Sequence, residues 1–395
     1  MDVQPADSEK ARLKFVRLHP QAPVGFAAEA CLPLRSRYAR CDACQRACPV
    51  GVLAMDQEAL RMGDGCLHCG RCAAACPTGA LAVPGFVPQA VVADSPRPLP
   101  VECWKVPRRL CAREAVRVPC LGGLSVGRWL ALRAAAGKRP IEAVDRGWCG
   151  RCSAGGATHP AASAVDQANR LLEEMGEPPQ ARIRFVHKPL PVKAMPEAIP
   201  EPAAEFSMGR RAFFRGLMGQ AAEALCVMET SASAPAAGNR EVHWGPLLSP
   251  ERTRVVSALR RLADRSGQPL PASIFPALHI SEACRNHQVC AATCPTGALL
   301  AYQENGATGV AFNASACIAC GVCQRACPEQ AIGFAPPGTV AASGKAVRLT
   351  RVEARECAEC GHLFAERGDE PVCAPCRKSR ELAQSAFQQL FAARA

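Results

Sequence analysis

The chain has 395 residues, enough for two to four domains, with 25 cysteines, 5% aromatic residues and a formal charge of +12. So few aromatics exclude one large aromatic core, and much of the folding energy has to come from another source such as bound metal. The length, the C-x2-C ladders and a start (MDVQPADSEKARLKF) without an apolar h-region exclude a short secreted disulfide scaffold. No run approaches the ~18 apolar residues of a membrane span, so a reducing, cytoplasmic location is expected.

In chain order, residues 1–30 read as a polar N-terminal lead-in. Residues 31–98 hold Cys31, the stretch YARCDACQRACP (Cys41, Cys44, Cys48, with Tyr38 in the first slot) and CLHCGRCAAACP (Cys66, Cys69, Cys72, Cys76). Residues 99–190 alternate strands and helices. AVRVPCLGGLS is a strand ending at Cys120, RWLALRAAAG a helix, and PIEAVDRGWCGRC a strand ending at Cys149 and Cys152. AVDQANRLLEEMGE is an amphipathic helix and ARIRFVHKPL a further strand. Ligands at strand ends imply an open α/β sheet with a site at its carboxyl edge. Residues 191–279 form a Pro-rich linker and helical connector. It begins in the stiff HKPLPVKAMPEAIPEP, contains GRRAFFRGL (an amphipathic packing helix rather than an export signal) and is broken by the flexible TSASAPAAGNR. Residues 280–340 hold CRNHQVCAATCP (Cys284, His287, Cys290, Cys294) and CIACGVCQRACP (Cys317, Cys320, Cys323, Cys327). Residues 345–395 hold CAECGHLFAERGDEPVCAPC, with Cys357, Cys360, Cys373 and Cys376, then a terminal helix expected to pack on a partner or the body.

The chain also repeats itself. CPTGAL occurs at Cys76 and again at Cys294, so 38–83 and 284–334 are two copies of one architecture. Two ladders, Cys66 to Cys76 and Cys317 to Cys327, complete the pattern C-x2-C-x2-C-x3-C-P. Two-residue spacers let three thiolates wrap one cubane, and the fourth cysteine points to another cluster. These units resemble the two-cluster bacterial ferredoxins. The resemblance implies βαββαβ-type units with three to four 4Fe–4S clusters and crosswise ligation. Cys48, Cys66, Cys69 and Cys72 would hold one cluster, and Cys294, Cys317, Cys320 and Cys323 another. The other sets are each one cysteine short. Cys41, Cys44 and Cys76 need a fourth ligand, which Cys31 supplies by looping back unless it is a buried apolar thiol. Cys284, Cys290 and Cys327 have His287 in the open slot. Two readings stay open there: a histidine-ligated 4Fe–4S cluster, or a 3Fe–4S cluster beside a solvated histidine.

The middle stretch resembles the delta subunit of methyl-viologen-reducing hydrogenases, an iron–sulfur electron adaptor. The resemblance rests on R-V-x-C-x-G, a Gly-linked cysteine pair and RLLEEMG, and implies a 2Fe–2S cluster on Cys103, Cys120, Cys149 and Cys152. Cys111 stands in reserve, because the final pair is C-x2-C and the upstream pair departs from the family pattern. The last four cysteines, C-x2-C-x12-C-x2-C, suit tetrahedral zinc in a ribbon better than a rubredoxin-type iron, whose loop is usually longer.

Six four-thiolate centres of about −2 each would nearly cancel the formal +12, so the basic balance reads as compensation for metal rather than a nucleic-acid footprint. No G-x-G-x-x-G follows a strand, no P-loop is present, and no nicotinamide or flavin site is expected. No catalytic dyad stands out among the eight histidines. The expectation is an α+β multidomain electron-transfer subunit without catalytic residues. It would wire a flavin- or molybdopterin-type oxidoreductase to another redox carrier. Two rival readings are a ferredoxin-fed thiol/disulfide reductase using the middle domain, with Cys111 as the spare thiol, and a redox-sensing nucleic-acid regulator. Against the second, the ribbon is not basic between its knuckles and has a single aromatic.

Overall fold

The computed structural model describes residues 13–56, 58–86, 91–199, 246–336, 346–365 and 371–391. The chain divides into two compact units, Met1–Ile274 and Phe275–Ala395.

The first unit opens with a hairpin of β1 (Val16–His19) and β2 (Ala22–Phe26). A short helix α1 (Leu32–Arg35) follows Cys31, and α2 (Ala43–Ala47) carries Cys44. β3 (Leu53–Met55) and β4 (Leu60–Met62) form a second hairpin, α3 (Arg71–Ala75) carries Cys72, and β5 (Leu81–Ala82) pairs antiparallel with β2. From β2 to β5 the order is βααββαβ, a βαββαβ arrangement with the one-turn helix α1 added before α2. Val24, Phe26, Leu53, Leu60 and Leu81 bury together with Cys31, Cys72 and Cys76. The stretch expected as a lead-in thus supplies a strand of the cysteine-bearing fold. Its short APVGF, with Pro and Gly, carries too weak an alternation to announce itself, and only the pairing of Phe26 with Leu81 gives it a core to join.

Next comes a four-stranded parallel sheet. It contains β6 (Leu99–Cys103), β7 (Val116–Val118), β8 (Ile141–Asp145) and β9 (Ile183–His187), in the order β7-β6-β8-β9. Helices α4 (Val126–Ala136) and α5 (Ala162–Glu174) connect the strands. The sequence reading has three of these strands and omits β6, the one next to the centre. Its LPVEC contains a charge, but Glu102 is 1% exposed because the Arg146 guanidinium grips its carboxylate through two hydrogen bonds of 2.8 and 2.9 Å. α6 (Pro250–Ser266) lies in the segment expected as a connector, yet it packs on α4 and buries Val256, Leu259 and Leu262. Ser249 caps it by accepting from Arg252 N, and Glu251 in its first turn accepts from Gly127 N at 2.7 Å. The expected Pro-rich linker is described as far as Ile199 and makes one turn at Val192–Ala194. GRRAFFRGL and TSASAPAAGNR lie outside the described residues.

The second unit runs β10 (Ala277–Ile280), α7 (Val289–Ala292), β11 (Leu299–Glu304), β12 (Ala307–Phe312), α8 (Val322–Ala326) and β13 (Ile332–Ala335), again βαββαβ. β10 pairs with β13, and β11 with β12 through Asn305–Gly306, both at positive φ as a two-residue hairpin turn requires. β14 (Val347–Arg348) and β15 (Val352–Glu356) both add to β12, and β15 forms a hairpin with β16 (Leu363–Ala365). The segment expected as a separate ribbon, 345–395, therefore shares a sheet with the cysteine ladders before it. Tyr302 Oη donates to Thr350 O at 2.6 Å and Val310 N to Thr350 Oγ1 at 2.9 Å across that junction. α9 (Ala374–Phe391) ends the described chain, and its described side chains beyond Cys376 are exposed, Leu382 and Phe387 among them. Among the described residues no helix is long and apolar enough to cross a membrane.

Candidate metal centres

Three of the four ladder loops share a backbone device. In CLHCG, His68 and Gly70 have φ of 53° and 72°, and in CIACG, Ala319 and Gly321 have 51° and 70°. In CRNHQ, Asn286 and Gln288 have 54° and 57°. Each loop thus places a left-handed residue on both sides of its second slot, at about 1 kcal/mol or more for each non-glycine. The turn aims amides at sulfur: Asn286 N lies 3.3 Å from Cys284 Sγ and Ala319 N 3.4 Å from Cys317 Sγ. After the C-P turns, Ala80 N reaches Cys76 Sγ at 3.2 Å and Ala331 N reaches Cys327 Sγ at 3.4 Å. The loop containing His287 therefore keeps the geometry of the complete loops. The exception is YARCDAC, where Asp42 has φ −125° and no residue of the loop is left-handed.

The cysteines gather into sets that cross between motifs. Cys48, Cys66, Cys69 and Cys72 line one cavity of about 350 Å³ (the Cys72 site). Cys31, Cys41, Cys44 and Cys76 line another of about 350 Å³ (the Cys31 site). Tyr38 does not join it; its hydroxyl pairs with Arg37 at 2.9 Å. Cys284, His287, Cys290 and Cys327 line a third of about 330 Å³ (the Cys290 site). Cys294, Cys317 and Cys320 surround Cys323 closely enough to act on its charge (the Cys323 site).

Burial, followed by the neighbouring cysteines, pushes the thiols of Cys31, Cys72 and Cys323 up to about 12 and those of Cys44 and Cys290 up to about 11. Crowded thiolates need a positive partner, and a metal supplies it. Asn286 gives an independent indication of fit. It is 8% exposed, yet neither its Oδ1 nor its Nδ2 has a hydrogen-bond partner among the described residues. Such a group costs roughly 1–3 kcal/mol unless something fills the cavity beside it, and a sulfide is an acceptor for Nδ2.

In the middle sheet, Cys103 ends β6, Cys120 follows β7, and Cys149 and Cys152 follow β8. This is the carboxyl edge, at the switch between β6 and β8 where open sheets hold ligands. The four line a cavity of about 530 Å³ with Lys105, Arg146 and His159 (the Cys120 site). Cys111 does not line it; its thiol faces the carbonyls of Val106 and Pro107, each at 3.6 Å. Gly155 holds the loop closed, since a Cβ there would lie 1.9 Å from Cys149 O. Burial, then Cys103 and Asp145, push the Cys149 thiol up to about 12. Sequence reasoning missed His159, which lies with Asp145 within 4.8 Å of the Cys149 sulfur. Its Nδ1 accepts from Ala161 N at 3.2 Å, so the neutral ring carries its proton on Nε2 and offers a donor rather than a metal lone pair.

The last four thiols lie within 4.8 Å of one another, and Cys360 Sγ is 3.7 Å from Cys373 Sγ. That is close to the ~3.8 Å edge of a tetrahedron with metal–sulfur bonds of about 2.3 Å. The Cys373 amide, first of several hydrogen bonds, lowers the Cys357 thiol to about 6, whereas sharing hydrogens with Cys373 and Cys360 raises Cys376 to about 12. Thiolates are the ligating form, so uptake of a zinc ion by this set must expel the protons that its raised thiols carry. Zinc affinity, read by competition with a chromogenic chelator, is expected to fall on acidification by roughly tenfold per pH unit for each proton displaced.

The sites of the first unit touch. Cys44 of the Cys31 site is close enough to act on Cys72, and Cys69 of the Cys72 site acts on Cys120. Cys69, Cys120 and Ala154 form one buried apolar cluster, flanked by Leu67, Cys152 and Ile199. A Cβ on Gly123 would lie 2.5 Å from Cys69 O and 2.2 Å from Phe86 Cζ, so the backbones meet at van der Waals distance. Arg71 of α3 donates to Ala154 O and Gly155 O at 3.2 and 3.1 Å, tying the two loops together. Lys105 is 7% exposed, donates to Glu197 O at 2.8 Å, and lines a cleft of about 670 Å³ together with Cys66 and Cys152.

Comparison with known families gives two matches. A 4Fe-4S dicluster domain matches residues 39–80, spanning every first-unit ladder cysteine but not Cys31. A 4Fe-4S binding domain matches residues 310–333, spanning Cys317 to Cys327. No curated protein matches the chain. The chain therefore carries ferredoxin-type 4Fe–4S domains toward both ends, and these support an iron–sulfur electron-transfer role.

Proposed function

We propose that the first unit carries electrons along a contiguous row of centres: the Cys31 site, the Cys72 site and the Cys120 site. The observation that carries this reading is the packing of Cys69 against Cys120, with no side chain between their loops at Gly123. Under this reading Cys31, Cys41, Cys44 and Cys76 hold one 4Fe–4S cluster, and Cys48, Cys66, Cys69 and Cys72 a second. Cys294, Cys317, Cys320 and Cys323 hold a third. Cys103, Cys120, Cys149 and Cys152 hold a 2Fe–2S cluster, and Cys284, His287, Cys290 and Cys327 a fourth ferredoxin-type cluster. Cys357, Cys360, Cys373 and Cys376 hold zinc as a structural ion without redox chemistry. Bound clusters supply one-electron carriers. The protein's part is to fix them, exclude water and set their potentials. Loop amides donate to the cysteine sulfurs, and buried Lys105 places a cation in the cleft that it lines with Cys66 and Cys152, favouring the extra negative charge of the reduced state.

The partners in this reading are redox proteins, a flavin- or molybdopterin-type oxidoreductase on one side and a carrier on the other. The thiol/disulfide reductase alternative needs a spare thiol at the middle site. Cys111 faces backbone carbonyls instead, so no observation favours it.

The test is anaerobic reconstitution followed by iron, sulfide and zinc counting, with a redox titration followed by electron paramagnetic resonance. The expected content is roughly 16–18 irons and about one zinc per chain, and fewer than about eight irons overturns the reading.

A further inference from the structure

We propose that Glu329 is a positioning residue that turns His287 into an iron ligand through Nδ1. The proposal rests on the reading that Cys284, Cys290 and Cys327 hold an iron–sulfur cluster.

The left-handed pair Asn286 and Gln288 presents His287 on the backbone that presents Cys69 and Cys320 in the complete loops. A side chain in that slot must bind close to its own Cβ, because Sγ is the first atom beyond it. In histidine Nδ1 lies two bonds beyond Cβ, and Nε2 lies farther out. Nε2 is also engaged, 2.8 Å from Glu329 Oε1. A carboxylate accepts, so the ring proton sits on Nε2 and the lone pair on Nδ1. Carboxylate, Nε2–H, imidazole and metal in line is the usual way a protein fixes the tautomer and orientation of a ligating histidine.

Glu329 is also placed by the crosswise design. It stands two residues after Cys327, the cysteine that the other motif lends to this site, so one C-P turn delivers both a thiolate and the group that orients the histidine. The same position after the other C-P turns is Thr78 or Thr296, whose hydroxyls face Cys76 Sγ at 3.6 Å and Cys294 Sγ at 3.8 Å, or Val50. The acid occurs at the turn that faces the histidine.

The experiment uses the full chain, reconstituted anaerobically, with pulsed electron paramagnetic resonance to detect a nitrogen bound to iron, and iron release to a chelator. The native protein is expected to show a directly coupled nitrogen that His287→Cys abolishes while the iron count is kept. Glu329→Ala is expected to speed iron loss from this one site roughly 10–100-fold. Glu329→Gln, which retains an acceptor for Nε2–H, should recover most of the retention. A native spectrum without coupled nitrogen, or a Glu329→Ala protein with native coupling and native iron retention, overturns the proposal and leaves an ordinary surface ion pair. Cys290→Ala separates the two levels. It should lower the total iron by this cluster, and an unchanged total rejects the cluster itself and the proposal with it.

Discussion

Cys31→Ala is expected to lose one cluster, roughly four irons with their sulfide, while Tyr38→Phe keeps the full count. Tyr38 occupies the slot that the ladder pattern reserves for a ligand, but its hydroxyl is paired with Arg37 and its loop lacks the left-handed turns that aim amides at a cluster. Cys31 comes from outside the ladder. It is 8% exposed between the short turn Ala28–Ala30 and α1, and faces Cys41, Cys44 and Cys76 across one cavity. Alanine would leave three thiolates, with Cys41 and Cys44 on a loop without the amide-aiming turns, and the cluster would be lost. The β1–β2 hairpin should loosen as well, because Cys31 shares a core with Val24 and Phe26. Iron and sulfide per chain, with thermal unfolding followed by circular dichroism, report both effects. A variant with the full iron count shows Cys31 to be a plain core thiol.

Gly123→Val should leave every thiolate in place and yet slow electron exchange between the Cys72 and Cys120 sites. The cause is distance. The first carbon of any side chain at 123 would overlap Phe86 and the carbonyl of Cys69, so the two loops must move apart or Phe86 must leave its pocket. Overpacking of this kind costs about 1–3 kcal/mol, which a metal-loaded unit can absorb without unfolding. Gly123 has no left-handed φ, so the effect isolates contact from backbone strain. After rapid mixing with a reductant, the two spectral changes should separate in time in the variant and run together in the parent. Unchanged coupling would mean that electrons do not cross at Cys69 and Cys120.

What the amino-acid sequence reveals here follows from how local each feature is. The ladders and the CPTGAL repeat are covalent spacings, and the structure folds both units with the same order of strands, the first adding the short helix α1. The α/β alternation was legible for β7, β8 and β9, in each of which apolar residues flank a charge at the second position. β6 was not, because its buried Glu102 is neutralised by Arg146, 44 residues away. The role of β2 depends on Leu81, and α6 finds its partner α4 more than a hundred residues back. Cys31 was legible as the fourth member of the set of Cys41, Cys44 and Cys76, but spacing left a plain core thiol open beside that reading, since loop closure is what brings it to Cys76. Glu329 and His159 carried no signal at all. Each is an ordinary polar residue until the fold sets it beside a histidine or a cysteine of another segment.

Strand β12 is bordered by β11 along its length, by β15 at its start and by β14 at its end, and Asn313 and the Cys317 loop follow it directly. An ion held by the four terminal cysteines needs no assembly machinery, only deprotonated thiols. By ordering β15 and β16 it would brace β12 before the neighbouring cysteine loop has received anything. Maturation of the second unit would then acquire a direction, in which the later of the two segments prepares the mould into which the more elaborate cofactor is cast.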